Sequence, residues 1–180
     1  QAQQGALAGA IRADDADAFA AQNRQIELAQ DFTAATARRM RLFISGSAPL
    51  LAETHEQFRV RTAHAILERY GMTETGMITS NPYDGDRMPG TVGFALPDVA
   101  VRIRGDQPGV LEVKGPNVFK GYWRMPEKTR EEFTDDGFFI TGDVGTIDAQ
   151  GRVTIVGRAK DLIISGGFNV YPKEIEDVLD

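Results

Sequence analysis

The 180-residue chain contains no cysteine, which excludes disulfides and thiolate metal sites. It has only two histidines, His55 and His64. Neither shares a metal-type spacing with carboxylates, and both read as structural, His55 on a helix face and His64 in a loop. No apolar run approaches the roughly 20 residues of a membrane span, and no signal peptide is visible. A cytoplasmic protein is the expectation. Basic residues are fewer than acidic ones, 20 against 26, for a net charge of −6, with a sequence pI near 5.0. No basic stripe is evident, so nucleic acid is not an expected partner. An anionic ligand would be held by local groups and not by the overall field.

With 42% hydrophobic residues over 180 positions, the chain can build one substantial core, or one core plus the start of a second domain. It begins with Gln1 and stops at Asp180 inside a helical pattern, so an internal piece of a longer protein is expected. Residues 1–30 are rich in Ala and Gln and carry only a weak helical stripe (Phe19, Ile26, Ala29) with no chemistry. The stretch from Asp31 to Thr33 offers a cap for a short helix running through Arg39.

From residue 41 the pattern sharpens. The run RLFIS at 41–45 reads as a buried strand leading into the small-residue loop Gly46, Ser47, Ala48, Pro49, then a helix over 51–61 with Phe58 on its apolar side. A strand, a small-residue loop and a helix form a common ligand position in α/β folds, although most such loops are turns. AILERY at 65–70 is the next strand, ending in GMTETG at 71–76. Here Tyr70 supplies a flat face for a base. Thr73 supplies a hydroxyl and an N–H for phosphate, and Glu74 a hard oxygen for Mg²⁺. A capped helix start accounts for the same Thr and Glu equally well.

Residues 82–89 form a polar loop broken by two prolines and Gly85. Beyond it the apolar period becomes two. Residues 99–103 and 110–114 read as a hairpin of a small antiparallel sheet. Phe119, Tyr122 and Trp123 follow as an aromatic cluster expected to fill a core, and 126–133 reads as a short helix. Phe138 to Asp143 is an apolar strand whose terminal Asp either accepts from a ribose diol or caps a turn. Residues 145–147 and 153–156, joined by a turn at 148–151, form a second hairpin. The chain then enters GRAKDLIISGGFNVYPKEIE at 157–176. A charged cluster (Arg158, Lys160, Asp161), a double-glycine turn (Gly166, Gly167) and a helix started by Pro172 read together as a hinge between two domains.

Five motifs now stand in one order: GSAPL at 46–50, YGMTE at 70–74, GYW at 121–123, TGD at 141–143 and the 157–176 stretch. In this order and spacing, residues 32–180 resemble the adenylate-forming superfamily of acyl-CoA synthetases, luciferases and peptide-synthetase adenylation domains. SNPYDGDRMPGTVG, KGPNVFKGYWRMPEKT and GGFNVYPKEIE are most similar to the malonyl-CoA synthetases within it. The resemblance implies a mixed α/β fold: the C-terminal part of the large adenylate-forming domain over 31–158, with a small antiparallel β subdomain, and the start of the small C-terminal domain over 159–180. Residues 1–30 remain unmatched.

It also implies an acid–thiol ligase. A small carboxylate, malonate or methylmalonate, would react with ATP to give an acyl-adenylate, and coenzyme A would take the acyl group, with Mg²⁺ accompanying ATP. By the same resemblance Gly46, Ser47 and Ala48 line the adenine and acyl pocket, and Tyr70, Gly71 and Met72 contact the nucleotide. Thr73 binds the α-phosphate and Glu74 holds Mg²⁺. Asp143 and Arg158 bind the ribose, and Lys160 is the hinge. Ser45 and Ser47 approach the acid, and Gly166 and Gly167 line the pantetheine tunnel. A second carboxylate on the acid needs a cationic or multiply hydrogen-bonding partner. Arg87, Ser45, Ser47 and an Arg upstream of residue 1 are candidates. The superfamily's phosphate loop and late lysine are expected before residue 1 and after residue 180, so the chain alone is expected to be inactive. Two other readings stand beside the ligase: a non-catalytic partial product, and an adenylating enzyme that loads a carrier-protein thiol.

Overall fold

The computed structural model describes residues 34–165, 168–170 and 172. The Ala/Gln-rich segment, the Gly166–Gly167 turn and the helix expected after Pro172 lie outside them. The chain divides into two bodies, residues 1–41 with 61–63, and residues 42–60 with 64–180. In the first, a short helix α1 (Ala34–Ala37) falls within the predicted helix and closes with Met40 N donating to the Ala37 carbonyl at 2.9 Å. Everything below concerns the second body.

Its first sheet has the order β1-β2-β3-β4. Strand β1 (Ile44–Ser45) runs parallel to β2 (Leu67–Met72), with Ser45 opposite Glu68. Strands β3 (Gly76–Ser80) and β4 (Phe94–Ala95) continue it antiparallel. The predicted buried strand at 41–45 is thus reduced to two residues, and Ile44 is half exposed. Its apolar run is covered by β2 on one side only among the described residues, which apolarity alone does not reveal. Between β1 and β2 lies helix α2 (Ala52–Thr62), as expected. Its exposed side carries Gln57 to Glu53 and Arg59 to Glu56 bonds at the helical neighbour spacing. Its inner side places Phe58 edge-on to Phe43 at 4.9 Å. His55 is structural as read: it is fully buried and its Nε2 donates to the Ile66 carbonyl at 3.1 Å.

The second sheet is an antiparallel meander, β5-β6-β7-β8. Strands β5 (Ala100–Arg104) and β6 (Gly109–Lys114) form the predicted hairpin, with Val101 opposite Val113. Strand β7 (Phe139–Ile147) replaces the separate strands expected at 138–143 and 145–147. The glycines that read as a break are absorbed by a bulge at Val144/Gly145. Strand β8 (Val153–Arg158) follows the turn at 148–151, which Asp148 holds through the N–H groups of Gln150 and Arg152.

Period-two alternation buries Leu111, Val113, Phe139, Val144 and Val153, each worth about 1.5–3 kcal/mol on burial. Phe119 meets Phe139 edge-on and Phe133 meets it at a tilt, each with centroids 5.4 Å away. Trp123 is not part of this core. It is 82% exposed, because Arg124 takes a left-handed backbone (φ 56°) and the turn before helix α3 (Pro126–Glu131) sends Phe119 inward instead. The buried carboxylate of Glu112 is held by Arg102 at 2.6 Å and by Arg104, as a buried charge requires. The two sheets are stitched by Val92 N to Val153 O at 2.9 Å and Val153 N to Gly93 O at 2.8 Å.

Candidate functional site

Where the first sheet meets the second, a cavity of about 190 Å³ opens. Three pieces of chain build it. The β1 end and its loop contribute Ser45, Ser47, Ala48 and Pro49; strand β2 contributes residues 68–72; and β7–β8 contribute Asp143, Ile155, Gly157 and Arg158, with Val92 from the stitch. Ser47 sits in the left-handed region (φ 70°), a conformation that a non-glycine residue holds only under constraint and that is enriched at binding loops.

At the centre is a three-residue hydrogen-bonded chain. Asp143 and Arg158 are opposite one another across β7 and β8, and Arg158 Nε donates to Asp143 Oδ1 at 2.9 Å. Tyr70 Oη donates to the other oxygen, Oδ2, at 2.5 Å. Burial, and then the negative charge of Asp143, hold the Tyr70 phenol well above its ordinary pKa. It therefore stays a donor over the whole working range. Each carboxylate oxygen keeps a further lone pair, and the remaining guanidinium N–H groups of Arg158 are half exposed. The arrangement fixes a ring face beside a carboxylate and a cation.

The structure thus brings together Ser45, Ser47, Ala48, Tyr70, Gly71, Met72, Asp143 and Arg158. Gly46 does not line the cavity. It backs onto Arg69, whose carbonyl would stand 3.3 Å from a Cβ placed there. Thr73 and Glu74 lie in the turn that follows Met72, and this turn is the tip of the β2–β3 hairpin, not a helix start. The cause is local: Thr75 N closes onto Met72 O at 3.2 Å, and Gly76 supplies a left-handed residue (φ 58°) directly after it.

The turn is clamped from outside. Phe119 N donates to Glu74 O at 2.7 Å, and Asn117 Nδ2 donates to the carbonyls of Thr75 (2.7 Å) and Met77 (2.9 Å). Thr73 is exposed, and Glu74 Oε1 accepts from Tyr122 Oη at 3.3 Å. Among the described residues no group of three or more His, Asp or Glu side chains could hold a metal ion. A lone carboxylate such as Glu74 suits Mg²⁺ only where substrate phosphates complete the shell. Lys160 stands exposed in a single 3₁₀ turn (Ala159–Asp161) after β8. Gly166 and Gly167 lie outside the described residues.

Among the cavity residues that the sequence reading did not assign to the site, two are charged, Glu68 and Arg69. Both sit inside AILERY, where they pass for the polar face of a strand. The available signal is position. Glu68 is two residues before Tyr70, hence on the same face of β2. Its carboxyl is buried, which pushes its pKa up to about 7 against the opposing Gly90 N–H bond. Arg87, a candidate for a second carboxylate, is occupied. It donates to the carbonyls of Pro82 (3.1 Å), Ala65 and Tyr83 (both 2.6 Å).

The two sheets thus enclose a ring, a carboxylate and a cation beside a small-residue loop on an α/β frame. Residues 5–123 match the AMP-binding enzyme family, and the chain belongs to it. Malonate–CoA ligase of Arabidopsis thaliana is 45% identical over 156 residues, covering 83% of this chain and 26% of that protein. ATP-bound MatB from Rhodopseudomonas palustris is 66% identical with a TM-score of 0.76, covering 80% of this chain and 30% of that one. A malonyl-CoA ligase ternary product complex with methylmalonyl-CoA and AMP is 43% identical with a TM-score of 0.63, covering 81% and 35%. The chain therefore spans roughly a third or less of the length of these relatives.

Proposed function

We propose that the protein carrying this chain activates a small carboxylic acid, malonate or methylmalonate, with ATP, and passes the acyl group to coenzyme A. The observation that carries this reading is the convergence of Tyr70, the Asp143–Arg158 pair and the Ser47–Ala48 loop in one cavity whose wall also holds a cation, Arg69. The ring face suits adenine, and the carboxylate–guanidinium pair suits a ribose diol. Arg87 is consumed by backbone carbonyls, which leaves Ser45 and Ser47 as candidates in this wall to meet a second substrate carboxylate. The ligands of the relatives, ATP in one and methylmalonyl-CoA with AMP in another, support the same assignment.

The chemistry is consistent with these groups. A carboxylate is a poor electrophile, and joining it to AMP with loss of pyrophosphate supplies a good leaving group for attack by a thiol. Thr73 would hold the α-phosphate through its hydroxyl and N–H. Glu74 would hold Mg²⁺ jointly with phosphate oxygens, and the bound ion would offset the charge that builds on them. Two half-reactions in one pocket need a moving part. We assign the pivot to Lys160, the domain boundary to 158/159, and the lining of the thiol tunnel to Gly166 and Gly167.

A substrate panel on the full-length protein tests the reading: malonate, methylmalonate, acetate and a fatty acid, each with ATP and either free coenzyme A or a carrier protein. Malonyl thioester on coenzyme A is expected among the fastest products. If malonate ranks behind acetate and the fatty acid, the substrate assignment fails. Loading of the carrier protein alone would reassign the acceptor.

A further inference from the structure

Glu68 is a buried acid in the cavity wall that the proposed chemistry leaves without a task. It is 5% exposed. Its Oε1 accepts from Gly90 N at 3.1 Å, and its other oxygen has no protein partner among the described residues. Ser45 is its cross-strand partner, and Tyr70 lies two residues, or about 6.6 Å, further along the same strand face. Glu68 thus belongs to the end of the cavity nearest Ser45, away from the Tyr70–Asp143 bond.

We propose that Glu68 is a specificity-determining residue for the acid: anchored by Gly90 through Oε1, it offers its free oxygen as a hydroxyl donor to a second carboxylate of the substrate. This deepens the dicarboxylate reading above and rests on it. An ionised Glu68 would repel a dicarboxylate, whereas a protonated one binds it, so the residue must carry its proton when the acid enters. Burial in this wall favours that form and pushes the pKa to about 7.

The charges around Glu68 are turned away, paired or exposed. On its own strand the neighbour is Arg69, which alternation sends to the opposite face of β2. On β7 and β8 the charges are Asp143 and Arg158, paired with each other. On the segment carrying Gly90, Arg87 is spent on three carbonyls, and Asp84 and Asp86 are exposed. The main-chain carbonyl of Glu68 is held by Asn81, so the strand itself is fixed in place.

The consequence is a pH-dependent preference. Above about pH 7 Glu68 loses the donor and gains a charge, so the KM for malonate should rise, approaching about tenfold per pH unit as one proton is lost. An acid with a single carboxylate has nothing to lose there. The test measures KM for malonate and for acetate between pH 6 and 8.5 on the full-length enzyme and on its Glu68→Gln variant. The amide keeps an acceptor for Gly90 and donates at every pH, so the malonate profile of Glu68→Gln should be flat while that of the parent rises. Acetate should show no such slope in either.

The same rise in both proteins, or an equal rise for acetate, would overturn the proposal, as would a flat malonate profile in the parent. A carboxyl NMR titration of Glu68 gives a second readout independent of turnover. A midpoint near 7 supports the proposal, and a midpoint in the ordinary carboxylate range removes its basis. Absence of malonyl thioester at every pH, with acetate still activated, would instead sink the dicarboxylate reading on which it rests.

Discussion

The bond between Tyr70 and Asp143 can be weighed from the structure. Replacing Asp143 by Ala strands a partly buried phenol hydroxyl and frees a half-exposed guanidinium. The lost bond to a charged acceptor contributes about 1.5–3 kcal/mol. The Arg158 half, with a side chain 50% exposed, regains water and is worth no more than about 1 kcal/mol. Removing a buried carboxylate also relieves its own desolvation, which offsets part of the total. A net loss of about 2–3 kcal/mol is expected for Asp143→Ala. Tyr70→Phe keeps the ring face and loses only the hydroxyl. A double-mutant cycle between the two should return a coupling of about 1.5–3 kcal/mol from denaturant midpoints of the full-length protein. In parallel, Tyr70→Phe should weaken ATP binding less than Tyr70→Ala, because the stacking face survives. A coupling below about 0.5 kcal/mol would refute the idea that this bond holds the two strands in place. Equal loss of ATP affinity in Phe and Ala variants would refute the role of the ring.

Two further substitutions probe the exterior of the site. Trp123→Ala should change stability by less than about 0.5 kcal/mol, because an 82% exposed side chain has little burial to lose; a loss above about 2 kcal/mol by chemical denaturation would return Trp123 to a core. Lys160→Pro, in the turn after β8, should leave pyrophosphate release largely intact and slow thioester formation. Equal loss of both steps would mean that the pivot is elsewhere.

How much of this was legible in the sequence depended on whether the deciding interaction was local. Alternation set the β5–β6 hairpin because Val101 and Val113 must share a buried face, and a four-residue connection leaves little freedom. The order of the motifs brought Ser45, Tyr70 and Asp143 to one cavity. Trp123 failed because apolarity says that a side chain prefers burial, not that the backbone can deliver it. Arg124 turns the chain, and Phe119 takes the inward position. Glu68 was hidden by its own strand. In AILERY a charged residue passes for the wet face, and only the second sheet, 75 to 90 residues further on, makes that face the inside of a cavity. The Thr73–Glu74 turn was ambiguous because the same residues cap helices and close hairpins. The decision came from Asn117 and Phe119, more than 40 positions away.

The pairing of Asp143 with Arg158 was named from motifs, yet regular strand pairing would have prevented it. From Ile147↔Val153 to Gly145↔Ile155 the β7–β8 ladder runs in one register; from Val144↔Gly157 to Asp143↔Arg158 it is shifted by one residue. Had the first register continued, Asp143 would face Gly157, and the Arg158 side chain would point to the opposite face of the sheet. The bulge therefore builds the Asp143–Arg158 pair, and Gly145 sits in the bulge. A Cβ at Gly145 would lie 2.5 Å from the Thr154 carbonyl oxygen and 3.1 Å from Leu111 Cδ1. The first contact is with backbone, which cannot rotate away. Gly145→Ala must push β8 outward or undo the bulge, and either movement separates Arg158 from Asp143. The expected loss is about 1–3 kcal/mol of stability, together with a drop in ATP affinity matching that of Arg158→Ala. Because both changes act through one guanidinium, adding Gly145→Ala to Arg158→Ala should cost no further affinity. If Gly145→Ala destabilises the protein but leaves ATP binding intact, the bulge is a packing feature only and the alignment of Arg158 has another cause.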